Sequence, residues 1–167
     1  RAIDARGLDP SGSALALARE VLDYPLHHGP LAADVFPDVQ FEMVVSWEVI
    51  EHVNDPVAFV QAIRDRMAPG GRFLFSTPNY GSRWVWGDLP HDPRGRPPVH
   101  TTFWDRRALA DLLRATGFVD VRVTPYSLPL NPGTRALGRV GRYVAAAEAT
   151  VRRSQRATLL ADARRPG

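Results

Sequence analysis

Cysteine and lysine are both absent from the 167-residue chain. Without cysteine, the sequence excludes a disulfide framework and any chemistry that needs a thiolate. No apolar run approaches the roughly 20 residues that a membrane-spanning helix needs. Asp4 and Asp9 also interrupt the N-terminal stretch where a signal peptide would be apolar. We therefore expect a cytoplasmic protein without a membrane partner.

Acidic residues are scarce near the C-terminus, although the whole chain carries a net charge of only +3. Residues 130–167 contain 8 arginines and 2 acidic residues. A basic segment of this kind can bind nucleic acid or an anionic membrane. Tyr143 is its one aromatic residue, whereas proteins that bind single-stranded nucleic acid use several stacking aromatics. We expect the arginines to form a solvated helix face, and we predict no nucleic-acid partner.

The pattern of apolar residues predicts a single α/β domain over 1–167. Hydrophobic residues make up 44% and charged residues 23% of the chain, which is typical of a globular domain with a sizeable core. Segments with strand and helix patterns alternate, which favours a largely parallel sheet. The predicted strands are at 3–9, 41–47, 72–77, 118–124 and 157–167. Four helices are predicted. The first runs from Ser11 or Ser13 to about Tyr24, the second begins at Asp55-Pro56, the third runs from Asp105 to Gly117, and the fourth spans 134–155.

Residues 78–104 show no periodic pattern but contain several aromatic residues. A loop of this length in a compact domain is commonly a lid or a binding loop.

The run FEMVVSW at 41–47 is apolar throughout, which is typical of a strand covered on both faces. The stretch SWEVIEHVNDP at 46–56 then places two acids and a histidine where this strand leaves the core. Ligands of parallel sheets bind at the carboxyl ends of strands, so we expect these groups at a ligand-binding rim.

Four motifs occur in order along the chain: GLDPSGSALALARE (7–20), FEMVVSWEVIEHVNDP (41–56), RDRMAPGGRFLFSTPN (64–79) and HTTFWDRRALADLLRATGFVDVRV (100–123). Together they resemble class I S-adenosylmethionine-dependent methyltransferases, in the broad small-molecule subgroup that includes ubiquinone-biosynthesis O-methyltransferases. The resemblance implies a Rossmann-like sheet with strand order 3-2-1-4-5-7-6, in which strand 7 is antiparallel and helices cover both faces.

Strand 1 of that fold and its glycine-rich loop have no counterpart in this sequence. No two glycines have G-x-G spacing, and the family binds the methionine part of its cofactor on that loop. Without strand 1, its neighbours in the sheet would expose unpaired backbone edges. We therefore expect this chain to be an N-terminally truncated methyltransferase domain that is inactive by itself.

The resemblance implies a role in binding S-adenosylmethionine for six residues: Asp9, Pro10, Ala33, Asp34, Ser46 and Trp47. Asp9 matches the acid that follows strand 2, where a carboxylate accepts charge-assisted hydrogen bonds from the ribose hydroxyls. Capping of the next helix is the alternative role for Asp9. Ala33 and Asp34 match the region near adenine. Ser46 and Trp47 follow strand 4, where the family lines the cofactor and the transfer path.

Three interpretations compete for Glu48, Glu51 and His52. If the chain turned helical after Trp47, Glu48 would share a helical face with the other two. His52 is our favoured catalytic residue, as a general base that takes a proton from a substrate hydroxyl. The alternative suggested by the ubiquinone-pathway resemblance is a divalent metal on all three residues, which we do not favour. The third interpretation is that they only cap the strand-to-helix turn.

The predicted function is methyl transfer from S-adenosylmethionine to an oxygen or nitrogen of a small metabolite. His91, Asp92 and His100, in or beside the long loop, are weaker candidates for the same pocket, since loop histidines are commonly solvated. The alternative function is a truncated, non-catalytic domain that acts as an interaction module. A nicotinamide-dependent dehydrogenase is disfavoured because G-x-G-x-x-G is missing.

Overall fold

The computed structural model describes residues 3–32, 34–82, 97–126 and 158–167. The chain divides into two compact units, Arg1–Gln40 and Phe41–Gly167. Several predictions lie outside the described residues: the position of Ala33, most of the 78–104 loop with His91 and Asp92, and the helix over 134–155.

The N-terminal unit contains two parallel strands and one helix. Strand β1 (Gly7–Asp9) pairs with β2 (Leu26–His28), and helix α1 (Gly12–Arg19) connects them. Ser11 caps α1, because its Oγ accepts a hydrogen bond from the Ala14 amide at 3.2 Å. The prediction that the helix reaches Tyr24 is wrong. Val21 is 81% exposed, so its side chain buries too little surface to stabilise a further helical turn.

The C-terminal unit is built on a four-stranded sheet with the order β3-β4-β6-β5. Its strands are β3 (Phe41–Trp47), β4 (Met67–Pro78), β5 (Val119–Tyr126) and β6 (Thr158–Arg164). β3 and β4 are parallel, and β6 is antiparallel to both β4 and β5. This arrangement confirms the α/β prediction and matches the 4-5-7-6 portion of the order that the resemblance implies.

Three helical segments lie in the described part of this unit: a 3₁₀ helix (Ile50–His52), α2 (Pro56–Asp65) and α3 (Arg106–Ala115). Asp55 and Asp105 cap α2 and α3 as predicted, since each carboxylate accepts a hydrogen bond from the backbone amide three residues on. Gly117 follows α3 with a φ of +87°, a left-handed conformation that glycine adopts without strain. Within the described part of the chain, no helix combines the length and the apolarity that crossing a membrane requires.

The core lies on one face of the four-stranded sheet. Alternate residues of its strands point to this face and are buried, together with residues of α3: Phe73, Phe75, Val123, Leu159, Ala161, Leu109 and Leu113. On the opposite face of β3, Met43, Val45 and Trp47 are 52–56% exposed. The prediction that β3 is covered on both faces is therefore wrong for the described structure. Side chains alternate along a strand, and the set that includes Met43 and Val45 is exposed, whereas Val44 and Ser46 on the other face are half-buried.

Candidate functional site

The backbone changes direction at Glu48, directly after β3. Glu48 has a φ of +52°, which a regular right-handed helix does not allow. Its amide donates to the Ser76 carbonyl at 3.1 Å, and its Oε1 accepts from Ser76 Oγ at 2.6 Å. The 3₁₀ helix begins only at Ile50. The shared helical face predicted for Glu48, Glu51 and His52 is therefore wrong, since Glu48 is tied to the neighbouring strand.

Glu51 is a buried acid at the centre of the site, with 0% of its surface exposed. Its Oε2 accepts a hydrogen bond from Thr77 Oγ1 at 2.9 Å. Its Oε1 is buried and has no hydrogen-bond partner among the described residues. Burial raises the pKa of Glu51 above its ordinary value, and hydrogen bonds from its own backbone and from Thr77 oppose that rise. The fold therefore holds a carboxyl group whose charged form is incompletely compensated.

His52 is held in one tautomer by a backbone carbonyl. Its Nδ1 lies 2.7 Å from the Val99 oxygen, and a carbonyl oxygen only accepts hydrogen bonds, so we assign the ring proton to Nδ1. In the neutral ring, Nε2 then carries a lone pair. Nε2 lies 3.9 Å from Glu51 Oε1, and the His52 side chain is 44% exposed. His52 thus combines solvent access with an available proton acceptor.

The segment that follows the long loop is fastened to the 3₁₀ helix. The amides of Thr101 and Thr102 both donate to the Glu51 carbonyl, at 2.8 and 3.2 Å. The Thr102 hydroxyl donates to the Ile50 carbonyl, and the Thr101 hydroxyl donates to the Val53 carbonyl, both at 3.0 Å. These bonds, together with the Val99 carbonyl, fix the backbone and the ring orientation at Glu51 and His52.

His100 is brought into the same cluster by this segment. Its ring centroid lies 4.8 Å from that of His52 in an edge-on arrangement, and its Nδ1 lies 2.6 Å from the Tyr80 hydroxyl. One potential ligand atom each from Glu51, His52 and His100 fall within 4.8 Å of one another. Among the described residues, Glu48 does not join this group. His100 was only a weak candidate from the sequence, and Tyr80 was missed, because neither lies near Glu51 in the chain.

Asp9 and Pro10 lie at the carboxyl end of β1 in the N-terminal unit. Asp9 is half-buried, and its Oδ1 accepts a hydrogen bond from the Ser11 amide at 2.7 Å. The Pro10 carbonyl lies 3.1 Å from His28 Nε2. Asp34 is exposed. The Asp9 carboxylate is therefore oriented by the turn that leads into α1.

Ser46 and Trp47 are the last two residues of β3 and lead directly into the turn at Glu48. Ser46 is half-buried, whereas Trp47 is 56% exposed. Their placement at the carboxyl end of a parallel strand agrees with the rim position expected for ligand-contacting residues.

Sequence comparison finds the family described as "Methyltransferase domain" over residues 3–123. The chain is 36% identical over 115 residues to a probable S-adenosylmethionine-dependent methyltransferase of Mycolicibacterium smegmatis, covering 67% of this chain and 42% of that protein. It is 37% identical over 78 residues to the ubiquinone biosynthesis O-methyltransferase of Dinoroseobacter shibae, covering 44% of this chain and 32% of that protein. The chain thus spans less than half the length of either relative.

Structure comparison finds the same fold in solved methyltransferases. An S-adenosylmethionine-dependent methyltransferase of Mesorhizobium loti matches with a TM-score of 0.67 at 21% identity, covering 96% of this chain and 79% of that one. The N-methyltransferase NodS of Bradyrhizobium japonicum, in complex with S-adenosylhomocysteine, matches with a TM-score of 0.56 at 13% identity, covering 97% of this chain and 66% of that one. At these identities the similarity concerns the fold alone.

Proposed function

Because the chain belongs to the class I S-adenosylmethionine-dependent methyltransferase family, we propose that the protein methylates an oxygen or a nitrogen of a small metabolite. The names of the Mycolicibacterium and Dinoroseobacter relatives support S-adenosylmethionine as the methyl donor and oxygen as one possible acceptor. The donor supplies a methyl group bound to a positively charged sulfur, which leaves readily. The remaining task of the protein is to align the acceptor, exclude water and remove a proton.

The observation that carries this proposal is the geometry of His52. The Val99 carbonyl holds the proton on Nδ1, so Nε2 is the atom that takes the proton from a hydroxyl or amine acceptor. Glu51 Oε1 lies 3.9 Å from His52 Nε2, so a carboxylate faces the ring atom that would receive the proton. His52 is thus the proposed general base, and Glu51 stabilises the positive charge that the ring gains.

For the cofactor, we propose that Asp9 accepts hydrogen bonds from the ribose hydroxyls. The Ser11 amide engages Oδ1 and thereby orients the carboxylate, and we propose Oδ2 as an acceptor for the ribose hydroxyls. A half-buried carboxylate at the carboxyl end of a parallel strand suits this role.

We further propose that the segment at Ala33 and Asp34 contacts the adenine and that Ser46 and Trp47 line the transfer path. Pro10 completes the turn beside Asp9. These assignments come from the family resemblance. The position of Ser46 and Trp47 at the carboxyl end of β3 also supports their proposed role in lining the transfer path.

Transfer of labelled methyl groups from S-adenosylmethionine to a panel of phenols, catechols and amines by the full-length protein tests the activity, since this chain is expected to be inactive by itself. We expect one acceptor class to be labelled. If the protein neither binds the cofactor nor labels any acceptor, the non-catalytic interaction module is favoured instead.

The ribose assignment has its own test. Asp9→Ala should weaken cofactor binding, measured by calorimetry, by about 1.5–3 kcal/mol, the range for hydrogen bonds to a charged group. The exposed acid Asp38 provides the control, since Asp38→Ala should leave the dissociation constant unchanged. An unchanged constant in Asp9→Ala, with a lowered melting temperature, would assign Asp9 to the turn alone.

A further inference from the structure

We infer that His28 is a positioning residue for the Asp9 carboxylate, because its side chain holds the turn that presents Asp9 to the cofactor. This inference rests on the proposed role of Asp9 as the acceptor for the ribose hydroxyls. Asp9 ends β1, His28 ends β2, and the two residues are paired in the parallel register. They therefore lie side by side at the carboxyl ends of two strands, where ligands of parallel sheets bind.

Two hydrogen bonds from the end of β2 hold the turn that follows Asp9. His28 Nε2 lies 3.1 Å from the Pro10 carbonyl oxygen. A carbonyl oxygen only accepts hydrogen bonds, so we assign the ring proton to Nε2 as the donor. The Gly29 amide donates to the Asp9 carbonyl at 3.1 Å. Two successive carbonyl groups of the turn are thus fixed by the neighbouring strand, one of them by the His28 side chain.

The bond to Pro10 reaches the Asp9 carboxylate through a single peptide group. The Pro10 carbonyl and the Ser11 amide belong to the same planar unit, so the direction of one sets the direction of the other. The Ser11 amide donates to Asp9 Oδ1 at 2.7 Å. His28 therefore holds the oxygen side of this peptide group while its N–H side holds the carboxylate.

Helix α1 does not hold the Pro10 carbonyl in place of His28. In a continuing helix the Ala14 amide would bind the carbonyl four residues before it, which is that of Pro10. Here the Ala14 amide binds the Ser11 hydroxyl instead, at 3.2 Å. The first backbone bond of the helix runs from the Leu15 amide to the Ser11 carbonyl. The Pro10 carbonyl thus lies outside the helical bonding, and its orientation depends on His28.

The exposure of His28 allows the bond to be removed without damage to the core. His28 is exposed, so replacing its ring leaves no buried cavity. A net hydrogen bond of this kind changes an equilibrium constant by a factor of about three to ten. The expected loss of cofactor affinity is therefore smaller than the loss expected for Asp9→Ala, as suits a residue that acts through another.

Calorimetry with S-adenosylhomocysteine on the full-length protein tests the inference. His28→Leu removes the donor and should weaken binding by a factor of about three to ten. His28→Gln is the matched control, since its amide N–H can reach the same carbonyl, and it should keep the wild-type dissociation constant. Equal weakening in His28→Gln and His28→Leu would overturn the inference, as would wild-type affinity in His28→Leu.

An analogue of S-adenosylhomocysteine that lacks both ribose hydroxyls separates positioning from a general structural role. This analogue offers Asp9 no hydroxyl, so the wild-type protein and His28→Leu should bind it equally well. If His28→Leu weakens the analogue as much as the parent ligand, His28 does not act through Asp9 and the inference is overturned.

Asp9→Ala, titrated with the same ligand, distinguishes failure of this inference from failure of the ribose assignment. If Asp9→Ala weakens binding and His28→Leu does not, only the positioning role of His28 is overturned. Unchanged affinity in Asp9→Ala overturns both. Nitrogen-15 NMR of the wild-type protein adds a readout that requires no variant to fold, since a neutral His28 ring with its proton on Nδ1 would also overturn the inference.

Discussion

The hydrogen bond between Thr77 and Glu51 gives the most direct test of how the site is held. Thr77 and Glu51 are both completely buried, and the hydroxyl donates to Oε2 at 2.9 Å. Thr77→Val keeps the shape and the strand propensity of the side chain but removes this donor. Because Oε1 already has no hydrogen-bond partner among the described residues, the substitution would remove the Thr77 bond that helps to offset the burial of the Glu51 carboxylate.

The expected loss follows from the chemistry of the bond. Leaving a buried acceptor without its donor costs about 1–3 kcal/mol, and bonds to charged groups lie at the upper end of this range. Urea denaturation at pH 8, followed by circular dichroism in the presence of chelator, should show this decrease in the free energy of unfolding. The slope against urea concentration should not change, since the buried surface is the same.

A double-mutant cycle separates the bond from other effects of valine. In a Glu51→Met background there is no carboxylate to satisfy, so Thr77→Val should then cost less than about 0.5 kcal/mol. Thr124→Val is the matched control, because Thr124 is an exposed residue of β5. Equal losses in the wild-type and Glu51→Met backgrounds would refute the reasoning, as would a loss in Thr77→Val no larger than in the control.

Three further substitutions probe the ionisable groups and one turn. Burial raises the pKa of Glu51 above its ordinary 4.5. The free energy of unfolding should therefore fall as pH rises from about 4.5 through the pKa of Glu51 in the folded protein. Urea denaturation across this pH range should show the decline in the wild type but not in Glu51→Gln. The Arg72 guanidinium, by hydrogen bond and charge, holds the pKa of Asp162 below its ordinary 3.8. Asp162→Asn should therefore lower the melting temperature at pH 7, and the difference from wild type should shrink as pH falls through the folded pKa. Gly117→Ala should cost about 1 kcal/mol or more in thermal denaturation, since φ is +87° and the added Cβ would lie 2.7 Å from Arg64 Nη1.

The parts of the fold that were predicted correctly depend on local chemistry. Asp55 followed by Pro56 and the single Asp105 mark helix starts, because a carboxylate caps the exposed amides of the first turn. Gly117 marks a helix end for a similarly local reason. The apolar runs of β3 and β4 predict strands irrespective of what covers them.

The features that were missed depend on contacts between distant segments. Glu48 adopts a positive φ because its amide and carboxylate both bind Ser76 on the neighbouring strand, and no residue near Glu48 in the sequence indicates this pairing. The exposure of Val45 depends on what covers each face of the sheet. Hydrophobic patterning identified the strand, but it did not identify which of its faces is the more exposed.

The candidate site could be predicted only in part, because it also joins segments that are distant in the sequence. His52 and Glu51 stand out because two titratable residues end an apolar run. His100 joins them only because the Thr101 segment binds the 3₁₀ helix. The ring orientation of His52 depends on the Val99 carbonyl, a backbone atom that no side-chain pattern reveals.

The rate of the chemical step in His52→Gln, measured in single turnovers across pH with chelator present, tests the central claim most directly. The account predicts a rate about 10²–10⁴ below wild type, with unchanged affinity for S-adenosylmethionine, because the loss lies in the transition state. The wild-type rate should fall at low pH, since protonated imidazole accepts no proton, and this dependence should vanish in the variant. A variant with the wild-type rate and the wild-type pH profile would contradict the assignment of His52 as the base.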